Sequence, residues 1–215
     1  MPKYSMDEMK KRNAFSQKMF HQFEECMKDF RDYVPLEEDN LQVSSPKLIT
    51  LILDIGPELI SGFDIAVSCT CIFPVWEDLD PELRSAREML WIKEEEGKER
   101  GRSLTFNDYV QFLEKHNAQG LSRKIVQVPD LKSYFRPFEV STATQTNLDW
   151  WNTYNQLKHD KYSNRKKATL KSALKLLGAL FCIIDNNSQL LFSETLQSSI
   201  FLPVDYKLDE SFKKI

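Results

Sequence analysis

The sequence predicts a mainly α-helical bundle with a small β-hairpin insertion. Three observations carry that expectation. Gly is scarce, at 6 in 215 residues, and Pro modest at 9, which disfavours a turn-rich β architecture. Apolar residues recur at three- and four-residue spacing through long stretches. Strand-like runs are confined to Lys124–Val128 and Ser133–Val140, which read as one hairpin across Pro129-Asp130. A hydrophobic share of 41% against 28% charged residues suits one folded domain over 1–215, with a variable insertion at about 75–140.

From the N-terminus, Met6 to Tyr33 reads as a long helix, with Phe15, Met19, Phe23, Met27 and Phe30 on one stripe. Pro35 and the acidic run Glu37–Asn40 end it. Ser45 is a helix N-cap and Pro46 a first helical residue. Leu48 to about Cys71 is apolar nearly all round and is expected to be the buried central helix, kinked at Gly56-Pro57. Glu58 and Asp54 sit on this apolar helix and need partners if buried, with Lys158 or an Asn the expected one for Glu58. Phe73-Pro74 stops it.

Glu77 to Arg100 is strongly charged and reads as a solvent-facing helix, followed by a break at Gly97–Gly101. Thr105–Asp108 resembles a capping box opening a short helix to about His116. Leu148 to about Asp160 is an aromatic helix, with a break at Tyr162-Ser163-Asn164. A second helix is expected over Arg165–Ile184, with Leu170, Leu174, Leu177, Phe181 and Ile184 as its stripe and Lys167, Lys171 and Lys175 as a solvated face. Asp185-Asn186-Asn187 reads as a turn. The tail, carrying Phe192, Leu196, Ile200 and Phe201, is expected to form a short helix that frays.

Composition excludes several classes. Net charge is −3, so whole-chain nucleic-acid binding is disfavoured and any such role must be local. Met1–Arg12 holds no apolar signal core. No run reaches the roughly eighteen apolar residues a bilayer span needs, and a cytoplasmic location is expected. Cys26, Cys69, Cys71 and Cys182 lack metal-site spacing and read as reduced core thiols. No Gly-rich phosphate loop, nucleophile elbow or His/Cys cluster is present, so no cofactor and no metal are expected. His21 and His116 are isolated and read as surface residues.

The chemically distinctive segment is Trp150–Tyr162. On a helix, Asn155 and His159 are i and i+4 and share a face. One of the two adjacent tryptophans is expected to anchor the core and the other to close a pocket or meet another helix. Trp150 to Leu180 holds seven Lys/Arg and one acidic residue, Asp160, a net +6 (7 − 1) within an acidic chain. Such asymmetry suits a phosphate-bearing partner or an acidic protein surface.

The aromatic pair Trp150-Trp151, then Tyr154-Asn155, Lys158-His159 and a further basic position, resembles the C-terminal signature of HEPN-like bacterial and archaeal proteins. Ser45-Pro46-Lys47-Leu48 opening an apolar helix with Gly56-Pro57-Glu58, and Arg136-Pro137-Phe138 ahead of the aromatic pair, are similar to other parts of such proteins. The resemblance spans about Lys47–Ile184. It implies a homodimer that binds RNA, a nucleotide or another phosphate group at the cleft between protomers. In catalytic members it implies metal-independent RNA cleavage, as in toxin or defence ribonucleases. It makes His159 the catalytic His and Asn155 the polar residue of the motif. The motif's Arg falls on Tyr154, a neutral side chain that cannot stabilise transition-state charge as a guanidinium does. Lys158, Lys161 or Arg165 would have to supply the cation, with Tyr154 beside them and Glu58 and Trp151 in support. Whether the chain is an enzyme therefore stays open. The alternative is a non-catalytic structural module for protein interaction.

Overall fold

The computed structural model describes residues 4–72, 124–139, 148–204 and 211–215. Expectations over 73–123, including the charged helix after Glu77 and the capping box at Thr105, lie outside the described residues. The fold is mainly helical with a small sheet. Helix α1 (Met6–Arg31) opens with a complete capping box: Ser5 Oγ accepts from the Glu8 amide, and the Glu8 carboxylate accepts from the Ser5 amide. Each bond satisfies a donor that the first helical turn leaves open. Helix α2 (Pro46–Ile72) begins at the expected proline, with Ser45 Oγ accepting from Lys47 N at 3.2 Å, and runs unbroken through Pro57. Its buried positions Leu48, Ile52, Ile55, Leu59, Phe63 and Ala66 form one helical stripe.

The hairpin pairs β1 (Ile125–Val128) with β2 (Ser133–Phe135) in the antiparallel register Val126↔Phe135. A 3-10 turn at Pro129–Leu131 and a left-handed Lys132 (φ 45°) join them. Helix α3 (Asp149–His159) follows, then one turn of helix, α4 (Lys161–Asn164), a 3-10 turn at Arg165–Lys167 and helix α5 (Leu170–Phe192). Strands β3 (Leu202–Val204) and β4 (Lys213–Lys214) complete a sheet of order β3-β1-β2-β4. Helices α1, α2 and α3 all pack on α5. The sheet closes another side of α5: Phe135 lies against Gly178, and Phe181 meets Phe201 with ring centres 5.7 Å apart.

Several expectations need correction. Among the described helices the most enclosed is α5, whose residues Leu176–Ser188 are buried without interruption. Helix α2 lines the core but leaves Asp54 and Pro57 exposed. Helix α5 starts at the cap Thr169, whose Oγ1 accepts from the Ser172 amide, and not at Arg165. Lys167 thus sits in the preceding 3-10 turn, and the three-lysine helical face does not exist as one stripe. Asp185-Asn186-Asn187 is no turn but buried helix. Asn187 Nδ2 donates to the Gly62 carbonyl at 2.9 Å, so a tertiary partner takes up an amide that the sequence alone marks as turn chemistry. The helix ends at Ser193, in the left-handed region at φ 58°. The described part of the tail forms no helix. Leu196, Ile200 and Phe201 are buried, and the chain then pairs with β1 as β3. Cys69 and Cys182 are buried, as expected of core cysteines, whereas Cys26 is exposed. Among the described residues, no helix is long and apolar enough to cross a membrane.

The tail is pinned by Glu24 of α1, which is 3% exposed. Its Oε1 accepts from Ser198 Oγ, from Ser199 N at 2.8 Å and from Ile200 N at 3.2 Å, while His21 Nδ1 lies 3.6 Å from Oε2. Burial pushes this carboxyl up, but the bonds from Ser198, Ser199 and Ile200 together outweigh it and hold the group below its ordinary value of 4.5. A depressed folded pKa contributes stability that is present above the unfolded pKa and is lost as pH falls through the folded value. Glu24→Gln keeps one acceptor but replaces charge-assisted bonds with neutral ones, and is expected to cost about 1–2 kcal/mol at pH 7. Urea unfolding at pH 7 and at successive steps below pH 4.5 should show a steeper acid loss in the wild type than in Glu24→Gln. Parallel curves would remove Glu24 as an acid-sensitive clamp.

Candidate functional site: a basic knuckle after the aromatic helix

Helix α3 is held by its aromatic face. Trp150 is buried, donates its Nε1 to the Pro137 carbonyl at 2.9 Å, and meets Phe138 edge-on with ring centres 6.2 Å apart. It is the tryptophan that anchors the core. Half-buried Trp151 packs edge-on against Trp150 and obliquely against Tyr154, with ring centres 5.0 Å apart in the second pair. Tyr154 is 5% exposed, and its ring lies directly on Gly56 of α2. No side chain larger than hydrogen fits between them, so Gly56 is what lets α3 approach α2. Burial pushes the Tyr154 hydroxyl up. Tyr154 is therefore a packing residue, and its expected place on a phosphate is corrected.

The opposite side of α3 is exposed. His159 ends the helix with its side chain in solvent, and Asn155, one turn earlier, is half-buried. Neither forms a side-chain hydrogen bond with another described residue. Lys158 is exposed, with its Nζ 6.0 Å from the Tyr154 ring centre. Imidazolium and ammonium groups in a last helical turn are favoured by the helix dipole, which gives His159 and Lys158 a local electrostatic reason to stand there.

Past His159 the chain folds back on itself. Asp160 Oδ1 accepts from the amides of Tyr162 at 3.1 Å and Ser163 at 3.0 Å, and caps α4. Hydrogen bonding from Ser163, then from the Tyr162 amide, holds the Asp160 carboxyl below its ordinary range. Asn164 Nδ2 donates to the carbonyls of Gln156 (3.1 Å) and Asp160 (2.9 Å). Lys167 Nζ donates to Gln156 Oε1 and Asn164 Oδ1. Arg165 Nη1 donates to the Tyr162 carbonyl at 3.0 Å, with its guanidinium 4.5 Å from the Tyr162 ring centre. The knuckle is anchored to the body where Leu170 N and Lys171 N donate to the carbonyls of Val43 and Leu41.

Lys161, Arg165, Lys166 and Lys167 therefore project from one braced connection, with exposed Lys158 in the last turn of α3 before it and half-buried Lys171 in the first turn of α5 after it. None forms an ion pair with a described carboxylate. Lys175 differs: it is half-buried, and burial followed by repulsion from Lys171 lowers its pKa. Glu58 does not join this group. Its carboxylate accepts from Ser16 Oγ of α1 at 3.4 Å, beside Lys11 and Arg12, and burial raises its pKa. The expected pairing with Lys158 is corrected, because Glu58 turns toward α1 while Gly56, two residues earlier, meets α3. An apolar groove of about 710 Å³ between α1 and α2, bordered by Phe23, Phe30, Leu51 and Pro57, contains none of the expected site residues. Among the described residues, no group of three or more His, Cys, Asp or Glu side chains is placed to hold a metal ion.

The bracing residues Gln156, Asn164 and Lys167, and the exposed Tyr162, were absent from the expected site. The signal was present in Asp160, a good N-cap residue followed by three positions that can form a turn. Fold and surface together describe a helical bundle with a small mixed sheet and one basic, exposed connection between two helices. No family model, curated protein or solved structure matches the chain.

Proposed function

We propose that the chain binds RNA through the surface formed by Lys158, Lys161, Arg165, Lys166 and Lys171 around His159. The observation that carries this reading is a set of cations with no described acidic partner, Lys158, Lys161, Arg165 and Lys166 exposed and Lys171 half-buried, in a chain whose overall charge is −3. Cations that no described carboxylate neutralises, held on a braced backbone, attract a phosphate chain at little ordering cost. The HEPN-like resemblance of the Trp150–Tyr162 segment supports RNA over an acidic protein as the partner. It also supports a two-fold dimer that brings two such surfaces to one cleft.

Metal-independent cleavage is the stronger form of the same reading. His159 is exposed and has the chemistry of a general acid or base. The charge a motif Arg would supply has to come from Lys158, Lys161 or Arg165, since Tyr154 is committed to packing on Gly56. Binding without rapid cleavage is therefore the reading best supported.

The test is RNA affinity against salt, with cleavage followed in EDTA. Lys158→Ala/Lys161→Ala is expected to weaken binding and to reduce the slope of log K against log salt by about 1.4, some 0.7 for each phosphate contact on a single strand. His159→Ala should abolish any cleavage with the melting temperature unchanged. If the wild type neither binds nor cleaves RNA, the reading falls and the structural interaction module takes its place. Light scattering on the same sample measures the dimer.

A further inference from the structure

We infer that Tyr162 is a base-stacking platform that makes this surface selective for single-stranded RNA; the inference rests on the RNA-binding reading above. Tyr162 is 77% exposed, an unusual state for a large aromatic ring that has an apolar core nearby. It is not a loose side chain on a loose loop. Asp160 Oδ1 holds its amide, Arg165 Nη1 holds its carbonyl, and the Arg165 guanidinium lies over one face of the ring. Arg165 thus orients the ring and adds positive charge behind it, while the remaining surface stays open to solvent.

The neighbours supply the second half of a single-strand site. Lys161 precedes the ring, Lys166 is exposed on the same connection, and Lys158 is exposed in the last turn of α3 just before it. A nucleobase stacked on Tyr162 therefore brings its flanking phosphates among cations that pair with no described carboxylate. Aromatic rings beside a cationic track are the general means by which single strands are held, because every base offers a π face. In a duplex the bases are already stacked on each other and the ring has nothing to cover.

The chain contains its own control. Tyr33 is 78% exposed and also has a lysine over its ring, Lys47 at 5.1 Å. Yet Tyr33 stands beside Asp32, Glu37, Glu38 and Asp39 in sequence, where a phosphate chain is repelled. Exposure and a cation over the ring are common to both tyrosines, and only Tyr162 has the cationic surroundings.

Fluorescence anisotropy with a labelled single strand of about ten nucleotides and a duplex of about sixteen base pairs tests this. Tyr162→Ala is expected to weaken single-strand binding by about tenfold or more with the salt slope unchanged, and to leave duplex binding as it was. Tyr162→Phe should bind as the wild type does, and so should Tyr33→Ala. If Tyr162→Ala binds the single strand normally while Lys158→Ala/Lys161→Ala weakens it, the stacking role is overturned and RNA binding stands. Equal losses on single strand and duplex overturn it as well. If the wild type binds neither RNA, both readings fall together.

Discussion

Replacing Asp185 with alanine is expected to lower stability by about 3–5 kcal/mol, the usual cost of breaking a buried ion pair from one side. Asp185 is 1% exposed in the middle of the most enclosed helix. Its Oδ2 accepts from Gln189 Nε2 at 2.8 Å and lies 3.2 Å from Lys124 Nζ, while Oδ1 accepts from the buried amide of Leu196 at 2.9 Å. The carboxylate therefore ties α5 to the residue that leads into β1 and to the chain that leads into β3. Alanine leaves the Lys124 side chain, itself only 13% exposed, without this carboxylate. It also leaves the Leu196 amide without an acceptor. Asp185→Asn keeps one acceptor and should fall between. Urea unfolding gives the values, and a loss under about 1 kcal/mol from Asp185→Ala would mean that the pair is not what joins helix and sheet. Pairing Asp185→Leu with Lys124→Met should cost far less than the sum of the single changes, because no unpaired charge remains buried.

The second large effect is expected at Gly56. A Cβ there falls within the Tyr154 ring, against Cε2, Cζ and Cδ2. In an open helix Gly→Ala gains about 1 kcal/mol from helix propensity. Here that gain is opposed by overpacking of about 3 kcal/mol, because the obstruction is a flat, buried ring. Trp151 packs on the same ring, which limits its retreat. The net result is a loss of about 2 kcal/mol or more. It has a functional consequence, since moving Tyr154 moves α3 and with it His159 and Lys158. On the RNA-binding reading proposed above, Gly56→Ala should weaken that binding without touching a cation. Tyr154→Leu makes room, so Gly56→Ala should be tolerated better in that background than alone. A Gly56→Ala protein as stable as the wild type would show that α3 does not depend on this contact.

How much was legible in the sequence differs element by element. Periodicity located α1 to within two residues at its end, and periodicity with capping chemistry located α2 to within two residues. Ser45 and Pro46 satisfy or remove open backbone donors through side chains only a few positions away. The hairpin was legible for the same reason, since Pro129-Asp130 separates two β-prone runs. The tail was not. Leu196, Ile200 and Phe201 have no strong period of their own, and their conformation follows from Glu24, some 175 residues away along the chain, and from pairing with β1.

By itself, the sequence determined the helical class, the two long helices, the buried stripe and the local excess of positive charge after Trp150, because each depends on near neighbours along the chain. It also identified Asn155 and His159 as sharing a helix face. Tertiary structure alone decided that Asp185–Asn187 continue a buried helix and that Tyr154 is spent on Gly56. It also decided that Glu58 faces α1 and that Tyr162 stands in solvent braced by Arg165 and Asp160. The physical reason is the same in each case. A polar or aromatic side chain has several low-energy environments open to it locally, and which one it takes is set by the partner that packing brings within bonding distance.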